Sequence, residues 1–116
     1  MSLPIAVERL YQTGWMPRFD AKLEQLPDGT RFPGVEAVRQ EFEKAGLRLV
    51  VKQNLMFSCS RATWGPLGEK LEDNQETDDR HGTVIGACER EAAVYALAQL
   101  RQVQFENQFA LVDQAG

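Results

Sequence analysis

Cys88 and His81 come first when the chain is searched for residues able to do chemistry. The stretch RHGTVIGACEREAAVYALAQL, residues 80–100, carries the chain's one histidine upstream of a cysteine that heads an apolar-periodic run. A thiol at a helix N-terminus is open to pKa depression, and a nearby imidazole would serve as its base. The residues between them weigh against that pairing. Thr83 to Ala87 is a β-rich run, and when extended it holds His81 about 20 Å from Cys88, at roughly 3.3 Å per residue. The same residues suit a structural joint, a short strand running into a helix. Cys88 stands where Ser or Thr would head a capping box, with Glu91 three positions on, and a small thiol is readily buried at such a junction. The joint is the expected reading, and a thiol enzyme using Cys88 is the least favoured functional one.

Other constellations lead to bland expectations. Glu69, Glu72, Asp73, Glu76, Asp78 and Asp79 crowd a polar stretch, but DNQETDDRHG lacks the fixed odd-position ligands, central Gly and terminal Glu of a calcium loop. Asp20, Glu24 and Asp28 lie near Arg18 and Lys22 with nothing to gather them into a pocket. Cys59 and Cys88 show no metal-ligand spacing and are expected as two reduced thiols, although a bridge between them stays open. No catalytic residue, metal site or cofactor is expected.

With 116 residues, 43% hydrophobic and 26% charged, the chain fits one modest soluble domain. The formal net charge is −4 and the pI about 5.0. This argues against a dedicated nucleic-acid or anionic-membrane binder. No apolar run approaches the ~18 residues that cross a membrane, and the first residues lack the pattern of a secretory signal. A cytoplasmic protein with no membrane partner is expected.

The elements that must position these residues follow from periodicity. LPIAVERLYQTGW predicts a helix with Ser2 as cap, Pro4 in its first turn, Ala6, Val7, Leu10 and Tyr11 inward, and a stop at Gly14. Pro27-Asp28-Gly29-Thr30 predicts a turn between short extended pieces. GVEAVRQEFEKAGL predicts the clearest helix, with Val35, Val38, Phe42 and Ala45 on one stripe and Gly46 at its end. Leu47, Leu49 and Val51 alternate with polar residues as in a half-buried strand. Taking Phe57 and Cys59 as the continuation of that apolar set predicts a hairpin with a three-residue loop at Gln53 to Leu55, pairing Val51 with Phe57 and Leu49 with Cys59. The opposite face would then carry Arg48, Val50, Lys52, Met56, Ser58 and Ser60, partly covered by the N-terminal segment. A single long, bent strand is the alternative. CEREAAVYALAQLRQ predicts a second strong helix, whose Ala92, Ala93 and Ala96 imply close packing. The tail from Val103 onward is apolar and fits helix or strand. Trp15 and Trp64 are expected in the core or at its rim.

Helix, strand, strand, strand, helix over residues 34–103 resembles the double-stranded RNA-binding domain. The likeness is carried by Gly86, Cys88, Glu89, Arg90, Ala92, Ala96, Leu97 and Leu100, which stand where that family has a Gly, a Ser/Thr cap, two lysines and an Ala-rich helix. The resemblance implies an antiparallel sheet with helices on one face. It also implies duplex-RNA binding from the helix N-terminus, but Glu89, Arg90 and Ala93 occupy the places of the phosphate-gripping lysines.

The expected architecture is therefore a single α+β domain of two layers. A small antiparallel sheet of three or more strands carries helices 34–46 and 88–102 on one face, with residues 1–33 as helix and extended cover and 104–116 as an apolar tail. The expected function is a non-catalytic interaction or oligomerisation module, a homodimer or the partner of another protein, with Val50, Met56, Phe105, Phe109 and Leu111 as interface residues. The alternative is a nucleic-acid binder using Arg48, Lys52, Arg61 and Arg90, disfavoured by the acidic charge.

Overall fold

A computed structural model of the chain describes residues 2–17, 22–69 and 80–115, with the side chains of the last helix described as far as Gln104. Three helices and two antiparallel sheets form a small α+β fold: α1 (Leu3–Gln12), β1 (Leu23–Gln25), β2 (Arg31–Pro33), α2 (Val35–Lys44), β3 (Leu47–Asn54), β4 (Cys59–Pro66), β5 (Gly82–Gly86) and α3 (Glu89–Ala115). The strands β1 and β2 pair with each other, and β3, β4 and β5 form the larger sheet in that order.

Each helix forms where apolar spacing predicts it, but Ser2 makes no side-chain capping bond to α1, and Ala45, expected on the inward stripe of α2, is exposed. Ala6, Val7 and Leu10 are the buried stripe of α1, and Ala37, Val38 and Phe42 that of α2. Gly46 follows α2 at φ 78°, a left-handed conformation that glycine adopts without Cβ strain. The turn between β1 and β2 is built as its residues predict: Leu26 N–H donates to the Thr30 carbonyl at 2.8 Å, and Thr30 N–H to the Asp28 carboxylate at 2.9 Å.

The hairpin differs from expectation. Its loop has four residues, 55–58, closed by the pair Asn54 and Cys59, so Leu49 lies opposite Trp64 and Val51 opposite Ala62. Loop chemistry and burial act together here. The Asn54 side-chain oxygen accepts the N–H groups of Met56 and Phe57 at 3.0 and 3.3 Å, and Ser58 turns the chain at φ 49°. The resulting register brings Ala62 and Trp64 under the helices. The expected register would have turned Arg61 and Thr63 there and put Trp64 outside, forfeiting roughly 2 kcal/mol or more of burial. Phe57 is consequently in the loop and exposed, Cys59 faces away from Leu49, and Ser60 is buried on the helix side. Met56 and Ser58 belong to the loop rather than to the outer sheet face.

α2 and α3 meet the face bearing Leu47, Leu49, Ala62 and Trp64. The Phe42 and Trp64 rings lie 5.5 Å apart. At Gly86 a Cβ would stand 2.6 Å from the Ala92 backbone nitrogen, and at Gly82 one would stand 2.1 Å from the Trp64 ring. Both glycines are there for close approach, and the buried Ala92, Ala93 and Ala96 complete the contact on the helix side. The N-terminal helix does not cover the other face of the sheet, contrary to expectation. It packs on α3, from which Arg101 Nε donates to Thr13 Oγ1 at 3.0 Å, and it reaches β2, where Tyr11 O–H donates to the Arg31 carbonyl at 2.7 Å. The tail is helix: α3 runs on to Ala115, about 40 Å in all at 1.5 Å per residue.

Candidate functional site

The β3–β4 hairpin and the outward face of its sheet gather most of the residues singled out for binding. Strand parity does this. Arg48, Val50 and Lys52 of β3 share a face with Arg61 and Thr63 of β4 and with Thr83 and Ile85 of β5. Lys52 and Arg61 are register partners, as are Val50 and Thr63. Thr63 and Thr83 bring their hydroxyls to 3.3 Å across β4 and β5. Arg48, Lys52, Arg61 and Ile85 are exposed, and Val50 is half-buried. None of the three cations forms an ion pair among the described residues.

At the end of the hairpin three consecutive large apolar side chains stand in solvent. Leu55 is 80% exposed, Met56 85% and Phe57 71%. The Asn54 side chain and the positive φ of Ser58 shape this loop through its backbone, and its three apolar side chains take no part in the core. Sequence periodicity assigned Phe57 inward and did not single out Leu55. The signal that would have found them is Asn54 itself, an Asx-type turn former directly ahead of an apolar triplet.

Arg90 does not join this surface. It sits in the first turn of α3 and pairs with Glu24 of β1 at 2.7 Å. Asp28 is exposed, and its hydrogen bonds from Thr30 hold its carboxyl below the usual carboxylate range. Asp20 and Arg18 lie outside the described residues, as do Glu72, Asp73, Glu76, Asp78 and Asp79. Phe105, Phe109 and Leu111 fall on the α3 backbone, with side chains outside the described set.

Cys88 and His81 flank opposite ends of β5 and are not brought together. His81 Nε2 lies 2.9 Å from Glu69 Oε2. Cys88 is exposed, not buried as expected, and both cysteines are free thiols. The joint itself is built from backbone and one carboxylate. The Cys88 carbonyl accepts Ala92 N–H at 3.0 Å, while Glu91, 1% exposed, reaches back to accept Ala87 N–H. Glu91 thus performs its half of a capping box one residue further back than the sequence pattern places it. Among the described residues no three His, Cys, Asp or Glu side chains gather as a metal site, and no described helix is long and apolar enough to cross a membrane.

A groove of about 930 Å³ runs between α1, α3 and the edge of β5, lined by Arg9, Gln12, Tyr95 and Ile85 among others. The Arg9 guanidinium lies over the Tyr95 ring, 5.7 Å from its centroid. Tyr95 is 7% exposed, and its hydroxyl has no hydrogen-bond partner among the described residues. Nothing in the sequence pointed to this groove.

The chain matches no described protein family, no curated protein and no solved structure.

Proposed function

We propose that this protein is a non-catalytic interaction module that docks through its β3–β4 hairpin and the adjoining outward sheet face. The observation that carries the reading is the exposed triplet Leu55, Met56 and Phe57 on a loop that holds its shape without them. Large apolar side chains grouped in water mark association sites far more often than scattered ones do. Val50 and Ile85 extend the apolar character onto the sheet.

Self-association, as the dimer expected from the sequence, is one form of this reading. A two-fold pairing of the sheet face would set Arg48, Lys52 and Arg61 against their own images, so self-association there strengthens as salt screens those charges. Light scattering at micromolar concentration, together with binding of an apolar fluorescent dye, tests the reading. The wild-type chain binds the dye and associates more strongly at high salt, and the double variant M56D/F57D loses both without a lower unfolding midpoint. A strict monomer at every salt concentration, with dye binding untouched by M56D/F57D, would remove the reading.

Duplex-RNA binding is the second reading, supported by Arg48, Lys52 and Arg61 sharing one face. Arg90 is absent from that face, and Glu89 stands exposed beside it at the α3 N-terminus. A mobility shift with duplex RNA that weakens with salt is its signature, and no shift at low salt ends it.

A further inference from the structure

We infer that the partner of the hairpin is an anionic lipid surface, with Leu55, Met56 and Phe57 entering the headgroup layer and Lys52 and Arg61 meeting lipid phosphates or carboxylates behind them. This rests on the reading of the hairpin as a docking element.

Charge segregation is the first support. The chain holds 17 acidic residues, and none of them falls between residues 47 and 68, where Arg48, Lys52 and Arg61 do. Six of the acids belong to residues 69–81, and the strand ends on either side of that stretch, Pro66 and Gly82, lie at the end of the sheet opposite the hairpin loop. At the loop end Glu24, Glu36 and Glu89 line a pocket with Gln53 and Ser60 on the helix side of the sheet, Glu24 paired with Arg90 and Glu36 with Arg39, whereas Lys52 and Arg61 lie on the other face. The net charge of −4 predicts poor affinity for anionic membranes only if the whole molecule is sensed at once. Screening confines a surface potential to about 8–10 Å at physiological salt, and the molecule extends 46 × 34 × 26 Å. The charge on the outward face at the hairpin therefore weighs more than the total.

Depth is the second support. Lys52 and Arg61 stand two residues behind the closing pair Asn54 and Cys59, about 7 Å at roughly 3.3 Å per residue. Amphipathic elements at a bilayer bury their apolar part about 5–10 Å into the boundary between headgroups and acyl chains. When the triplet reaches that boundary, Lys52 and Arg61 lie among the anionic headgroups.

Shape and chemistry separate this partner from the others. The triplet is a convex tip, and a headgroup layer opens around a tip where a folded partner must present a preformed recess. Nucleic-acid phosphates satisfy the cations but give Leu55 and Met56 nothing apolar to enter. A second copy brings like charges together.

Co-sedimentation with vesicles tests the inference. One set contains equal parts phosphatidylserine and phosphatidylcholine, the other phosphatidylcholine alone. The wild-type chain pellets with the first set at low salt and not with the second. K52A and R61A each weaken binding on the order of five-fold. M56D/F57D abolishes it while keeping the wild-type near-ultraviolet dichroism and unfolding midpoint. Soluble glycerophosphoserine does not compete at the lipid concentration, which distinguishes a surface from a free headgroup. Failure of the folded wild-type chain to pellet with phosphatidylserine vesicles overturns the lipid inference, as does binding that M56D/F57D leaves unchanged. If the chain ignores vesicles but loses dye binding and self-association in M56D/F57D, the lipid inference falls and the docking reading stands. If M56D/F57D changes none of these, both fall.

Discussion

Two buried polar groups on α3 have opposite standing, and single substitutions separate them. The Glu91 carboxylate is nearly inaccessible and accepts Ala87 N–H at the strand-to-helix joint. E91A leaves that amide without its acceptor and is expected to cost about 1–3 kcal/mol in urea unfolding, while E91Q, which keeps an acceptor oxygen, costs less. The Tyr95 hydroxyl is equally enclosed but has no partner among the described residues. Removing it as Y95F is expected to be neutral or to raise the unfolding free energy by up to about 1–2 kcal/mol, and a clear loss of stability would show that the hydroxyl has a partner after all. Asp28 supplies a pH signature. Its hydrogen bonds from Thr30 lower its folded-state pKa below the ordinary 3.8. Its contribution is therefore present above that unfolded value and is lost as pH falls through the folded one. D28N is expected to unfold more easily than wild type at neutral pH, with the gap closing in acid. A gap that stays constant from neutral pH to pH ~2 excludes this assignment.

The hairpin is the element on which register and exposure depend, and on which the proposed docking rests. Its loop is set by Asn54 accepting two backbone N–H groups and by Ser58 at φ 49°. N54A is expected to lower stability by about 0.5–1.5 kcal/mol, the range of a single net hydrogen bond. S58G is expected to hold or raise it, because glycine occupies that region without Cβ strain. The opposite ranking by thermal unfolding would mean that another feature sets the loop. Helices were legible in the sequence because one buried stripe every 3.6 residues is a redundant signal: Val38 and Phe42, or Ala92 and Ala96, repeat it. Strands β3 and β4 were legible as strands but not in their pairing. A period of two fixes a face only relative to its own strand, and one extra loop residue exchanged Phe57 and Cys59 for Ala62 and Trp64.

At the scale of the whole molecule, the proposed association depends on charge distribution more than on net charge. Association through the hairpin should respond to ionic strength with a sign that reports the partner: stronger with salt for a second copy, weaker for an anionic surface or duplex RNA. A titration from low to high sodium chloride across the three assays reads this directly, and a salt-independent interaction would exclude a role for Arg48, Lys52 and Arg61. The candidate site was half legible. Arg48 and Lys52 are legible from alternation and Arg61 only from its type, and the structure joins the three on one face, but it sends Arg90 to Glu24 and brings Leu55 and Phe57 into the open. By itself the sequence determined the α+β class, the helices as far as residue 102, the turn at residues 27–30 and the strand-to-helix joint at Cys88. All of these depend on backbone preferences and side-chain periods contained within a few neighbouring residues. Only the tertiary structure decided how β3 and β4 pair, that α1 packs on α3 rather than on the sheet, and that Leu55, Met56 and Phe57 stand exposed at the hairpin loop. Those outcomes depend on competition for burial between residues far apart in the chain, where Trp64 against Gly82 and Phe42 outweighs the local appeal of Phe57.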